Sequence, residues 1–278
     1  MPTQSPAIQC TTAEFAFLAS LLGAPAPAAL AEAASPWPAG RNAEGVSEIQ
    51  ARLAGRGLIL IEPDGSVRVS EAVAALVGTC SSAQATFVAT YTSADGDLVA
   101  HQFHVMGTAA VELVVYDDGD EAVCELTDLS DASEVLPRLA QIFRLEGQEG
   151  GDAPAGTLRE RALRQARSLI RDSGREAAES YLVCMGLYPQ TAAALAEALA
   201  RPVGNGALLV LTHEGGRMQA DGLGLLEGEN GLWLLRTVER DGCKWVNVAP
   251  CSAQGARQSI GVLFRRKVVG WLTRYQAT

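Results

Sequence analysis

Aromatic side chains make up only 5% of this 278-residue chain, and it has just three histidines. Nucleic-acid readers stack bases on aromatic faces, and many acid–base and metal sites use imidazole, so both classes begin from a poor supply. Positive charge is also short. Lys and Arg number 22 against 32 Asp and Glu, a formal charge of −10, so no long-range field draws the molecule to phosphates or an anionic membrane surface. The six cysteines (Cys10, Cys80, Cys124, Cys184, Cys243, Cys251) are far apart and form no C-x-x-C pair, which excludes a zinc ribbon or a disulfide framework as the organising feature. Scattered thiols of a reducing cytosol are expected instead.

Long uninterrupted apolar runs are missing as well. Phe15 to Ala34 comes nearest, but Pro25, Pro27 and Glu32 interrupt it, well short of the roughly 18–20 residues a membrane span needs. No Lys or Arg precedes Arg41, so the basic start of a signal peptide is lacking and a cytoplasmic protein without a membrane partner is expected. Neither G-x-S-x-G nor G-x-x-x-x-G-K-[ST] occurs. Gly222-x-Gly224-x-x-x-Gly228 has the wrong last spacing for a dinucleotide fingerprint and opens no helix. No catalytic residue, metal site or cofactor is expected, and the chain reads as a non-enzyme.

What is present is apolar patterning, 48% of the residues, enough to bury a core. Thr11-x-x-Glu14 is a capping box before a helix bearing Phe15, Leu18 and Leu22. Ser47-x-x-Gln50 suggests the cap of a second helix with Ile49 and Leu53. Leu58 to Ile61, a Pro63-Asp64-Gly65 turn and Val67 and Val69 predict a hairpin, followed by a helix with Val73, Leu76, Val77 and Cys80. From Ala85 the period becomes two: Phe87–Tyr91, Leu98–Met106, Val111–Tyr116 and Glu121–Thr127 predict a four-strand meander, closed by a helix over Asp131 to Phe143. Glu146 to Gly156 reads as a mobile linker. Thr157-x-x-Glu160 predicts the cap of a helix with Leu158, Leu163, Ala166 and Ile170. Two shorter helices split by Gly186 come next, then strands Ala207–His213, Met218–Leu226, Leu232–Val238 and Cys243–Val248, and a helical tail to Tyr275.

A single offset of 123 lays Asp118-Gly119 on Asp241-Gly242 and also Phe87-Val88 on Val210-Leu211, without a gap. Two copies of this length predict an α+β fold of two pseudo-two-fold related halves, each with helices, a four-strand antiparallel meander and a following helix. The expected domains are residues 1–145, a linker at 146–156, and 157–278.

The stretch Cys184 to Val210 (CMGLYPQTAAALAEALARPVGNGALLV), leading into a hairpin at Ala220-Asp221-Gly222-Leu223-Gly224-Leu225, then Gly231-Leu232 and the final helix, resembles in that order the EspG family of ESX (type VII) secretion-associated proteins. The resemblance implies two α+β halves about a pseudo-two-fold axis and a cytosolic chaperone that holds a secreted helical client before export. Its N-terminal section, Thr11 to Cys80, departs from the pattern.

Several other features have the residue types of a site. His101 and His104 lie three apart on one strand and face opposite sides, so they do not share a metal. Asp117-Asp118-Gly119-Asp120-Glu121 lacks EF-hand spacing and reads as a hairpin tip. Ser47 to Val69 has the outline of a winged helix, but with only Arg52, Arg56 and Arg68 to offer a phosphate backbone; such a regulatory or scaffold protein is the alternative reading, and an enzyme with a site assembled from distant residues is another. The basic group Arg257, Arg265, Arg266, Lys267 and Arg274 reads as a solvated helix face. The leading expectation is a protein-binding module whose second-half sheet and hairpin hold an amphipathic helix, with His213, Met218, Leu226, Trp233 and Trp245 as contacts; for the two tryptophans a core position is the plainer expectation. Nucleic acid is not an expected partner, and a homodimer is compatible with this reading.

Overall fold

Thr11 and Glu14 start the first helix by satisfying two of the amide donors that every helix N-terminus leaves without intrahelical partners. The Glu14 amide donates to Thr11 Oγ1 at 3.1 Å and the Thr11 amide to the Glu14 carboxylate at 3.0 Å. The structure, a computed structural model, describes residues 7–25, 27, 43–119, 121–214 and 217–275. The chain divides into two compact units, Met1–Thr86 with His101–Val135, and Phe87–Ala100 with Leu136–Thr278.

In the first unit, β1 (Ile8–Thr11) leads into α1 (Thr12–Leu21), followed by α2 (Ala43–Gly55), the ribbon β2 (Ile59–Ile61) and β3 (Val67–Val69), and α3 (Glu71–Ser81). The ribbon turns at Gly65, φ +84°, where the Asp64 carboxylate accepts from the Ser66 amide at 2.9 Å. Strand β1 was not foreseen: four residues are too few to show an alternation, and its order comes from pairing with β7. Ser47 lies inside α2 and does not cap it. The strands β5 (Leu98–Met106), β6 (Ala109–Asp118) and β7 (Glu121–Asp128) form as expected, giving the order β1-β7-β6-β5. Phe15, Leu18, Ile49, Leu53, Val73, Leu76, Val77 and Cys80 of the helices pack on Val111, Leu113, Cys124 and Leu126 of this sheet.

The second unit takes most of β4 (Ala85–Ser93) and α4 (Val135–Ile142), then β8 (Gly156–Arg159), α5 (Glu160–Ser173), α6 (Arg175–Cys184) and α7 (Pro189–Ala200). Its remaining elements are β9 (Pro202–Glu214), β10 (Arg217–Gly228), β11 (Gly231–Arg240), β12 (Cys243–Cys251) and α8 (Ala253–Tyr275). The strand order is β4-β9-β10-β11-β12-β8, antiparallel from β9 through β8.

Two expectations are corrected here. Thr157 is not a helix cap: residues Gly156–Arg159 add an edge strand to β12, so their backbone is used in the sheet, and the Thr157 hydroxyl donates to Asn247 Oδ1 at 2.8 Å. The helix starts only at Glu160, with no side-chain cap. The Gly- and acid-rich stretch before it is not a free linker either. Gln148 O accepts from the Ala253 amide, Gly150 bridges to Leu232, and Pro154 O accepts from the buried Thr191 hydroxyl.

The architecture is thus α+β with antiparallel sheets; the pseudo-two-fold relation is a reading of the sequence spacing and stays one. Among the described residues no helix is long and apolar enough to cross a membrane.

Candidate functional site

Antiparallel pairing puts opposed residues on one face of a sheet, so the register of the second unit decides which side chains share a surface. Leu211 lies opposite Ala220, Leu209 opposite Gly222, Ala207 opposite Gly224, and Asn205 opposite Leu226. Gly224 in turn faces Leu235, and Leu226 faces Trp233. One continuous face therefore runs from the β9–β10 hairpin across to β12. Helices α5, α6 and α7 cover only its far part, burying Leu226, Trp233, Leu235, Val246 and Val248 against Leu158, Ala162, Ala166, Leu182 and Leu195. Near the hairpin the face is uncovered: Leu209 is 42% exposed and Met218 62%, with Ala207 and Ala220 exposed beside them.

Where helix cover begins there is a cavity of about 500 Å³, lined by Arg167, Ile170, Leu199, Pro202, Asn205 and Leu226 among others. It opens at the border between the packed and the open parts of the same face. Glycines permit this geometry. A Cβ on Gly222 would lie 2.5 Å from the Leu208 carbonyl oxygen, and one on Gly228 would meet the Ala198 Cβ at 2.8 Å, so β10 approaches its neighbouring strand and α7 more closely than a side chain allows. These contacts, and the absence of a helix after Gly228, leave the glycine series with a packing role.

Of the residues named from sequence, Met218 stands on the open part of this face and Leu226 forms the pocket floor, buried to 2%. Trp233, at 3%, is a core residue. Trp245 lies on the opposite face of the sheet, half-buried, with the Arg159 guanidinium 5.3 Å from its ring centroid. His213 pairs with Met218 in the hairpin, and its side chain lies outside the described residues. What sequence reading missed is the helical wall, above all the four arginines of α5; these and Arg159 just before them, five between 159 and 171 in an acidic chain, were the available signal.

The other candidates have structural partners. The His104 ring is buried, its Nδ1 3.2 Å from Thr86 Oγ1, and burial pushes its pKa down to about 4. His101, on the opposite face, holds the Glu112 carboxylate at 2.6 Å from Nδ1. Arg52 and Arg56 of the helix–ribbon–helix segment both turn to Glu14, at 3.2 and 3.1 Å, and so are not presented as a groove-reading pair. Among the described residues no group of three or more His, Cys, Asp or Glu could hold a metal ion.

Fold and surface together define an α+β protein of two units in which one apolar sheet face is left partly open. The chain belongs to the EspG family, whose model matches residues 11–261. In the structure of the Mycobacterium tuberculosis type VII secretion system chaperone EspG5 in complex with a PE25–PPE41 dimer, one chain superimposes at a TM-score of 0.64 with 18% identity, covering 95% of this chain and 96% of that one. At that identity the likeness is one of fold. HtdX of Mycobacterium tuberculosis gives a TM-score of 0.16 at 14% identity, over 89% of this chain and 100% of that one, and carries no argument. No curated protein matches the sequence.

Proposed function

We propose that this chain is a type VII secretion chaperone that holds a helical client on the open sheet face of its second unit, acting by binding alone in the cytoplasm. Family membership supports the class of function, and the EspG5 structure, a complex with a PE25–PPE41 dimer, supports a client of that kind. The observation that carries the reading is the uncovered apolar strip Ala207, Leu209, Leu211, Met218 and Ala220, which runs on into the pocket floored by Leu226. An amphipathic helix laid there would hide its apolar stripe from water until handover.

Co-expression of the tagged chain with PE–PPE pairs from the same genome tests this. A complex surviving purification is expected with at least one pair, and the double substitution Leu209→Glu with Met218→Glu is expected to lose it while melting at the wild-type temperature. A complex unaffected by those substitutions would place the client elsewhere, and the absence of any complex across the pairs would count against the chaperone reading itself.

A further inference from the structure

The arginines of α5 run against the composition of the chain. In a protein of formal charge −10, Arg161, Arg164, Arg167 and Arg171 occupy a helix of 14 residues, directly after Arg159. Arg164, Arg167 and Arg171 are three and four apart and so lie along one side of the helix. Local acids answer only part of this charge. Arg164 pairs with Glu160 at 3.2 Å, and Asp172 accepts from the Ser168 hydroxyl at 3.1 Å. Arg167 and Arg171 make no ion pair among the described residues, and both line the pocket, beside Ile170, Leu199 and Leu226. Arg167 is an exposed residue at the pocket wall, and the atoms packed around it lower its pKa from the usual arginine value.

Two guanidinium groups on the wall of an apolar pocket, neither paired with an acid among the described residues, offer an arriving carboxylate paired, directional hydrogen bonds. Resting on the open-face reading above, we infer that the client segment is acidic: an amphipathic helix that seats an apolar side chain over Leu226 and brings an Asp or Glu, about one turn away, to Arg167 and Arg171. The apolar floor supplies affinity for any amphipathic helix, and the two guanidinium groups select among them by charge.

Fluorescence anisotropy with two stapled helical peptides of about 18 residues, long enough to hold a helix, separates the possibilities. One carries leucines at three- and four-residue spacing flanked by glutamates; the other has glutamine in place of each glutamate. The wild-type chain is expected to bind the glutamate peptide at least about tenfold more tightly at low salt, a preference of the size one well-placed charge pair gives. Arg167→Gln with Arg171→Gln is expected to abolish the preference while leaving the glutamine peptide's affinity unchanged, and Arg161→Gln, off the pocket, to keep it. Equal affinity of the wild type for both peptides would overturn the charge inference and leave the open-face reading standing. Binding of neither peptide would overturn the open-face reading and the inference with it.

Discussion

Glu14 shows how much one side chain carries in the first unit. It is 2% exposed, closes the capping box with Thr11, and receives Arg52 of α2 and Arg56 in the turn just after it, so helix start and helix–helix contact depend on one carboxylate. The arginines are about two-fifths exposed, which discounts each pair, but the cap and the buried acceptor remain. Glu14→Ala is expected to cost about 2–3 kcal/mol in urea unfolding, with Glu14→Gln recovering the capping share of about 1 kcal/mol. His104 gives a pH dependence of definite sign. Burial lowers its pKa from an ordinary 6.5 to about 4, so as pH falls between those values the unfolded chain takes up a proton that the folded chain refuses. Folded-state stability should fall through that window by an amount on the order of 3 kcal/mol and level off below it. His104→Phe should show a shallower slope over the same range; equal slopes would locate the acid sensitivity elsewhere. Trp233 is expected to act through stability, Trp233→Ala costing about 3–5 kcal/mol. At this scale the sequence was legible where a residue acts on its own backbone, as with Thr11, Glu14 and the turn glycines Gly65 and Gly119, both at positive φ. It was not legible where neighbours decide. Nothing local distinguishes Trp233, in the core, from Met218, on the open strip.

Among the elements, β10 is the most constrained. Its last glycine touches α7, since a Cβ at Gly228 would lie 2.8 Å from the Ala198 Cβ and 2.9 Å from its Cα. Gly228→Leu should lift α7 from the sheet and destabilise by about 1–3 kcal/mol, and Ala198→Gly in the same chain should return part of the loss, a coupling that a double-mutant cycle reads directly. The long strands and the amphipathic helices announced themselves through period two and period 3.6. The short edge strands did not. Ile8–Thr11 and Gly156–Arg159 are ordered by the neighbours β7 and β12, and in the second case the sequence signal Thr157-x-x-Glu160 fits a helix cap equally well. Strand β9 begins at Pro202, five residues before the apolar alternation does, because Gly204 and Gly206 give no hydropathy signal while lying close to Tyr91 and Phe143.

For the whole molecule, family membership and the open face converge on binding as the activity, and every contact in that reading lies within the second unit. A complex stabilised by Arg167 and Arg171 should weaken as salt rises from about 0.05 to 0.5 M, whereas one held by the apolar strip alone should not. The division of labour also means that destabilising the Glu14 network should leave the client's dissociation constant unchanged at temperatures where the first unit remains folded. Hydrogen exchange on the chain alone and with a co-purified PE–PPE pair tests the central claim most directly. Slowed exchange is expected in β9 and β10 around Ala207 to Leu226 and along α5 at Arg167 to Arg171. Protection confined to the helix–ribbon–helix segment of the first unit, with β9, β10 and α5 unchanged, would contradict it.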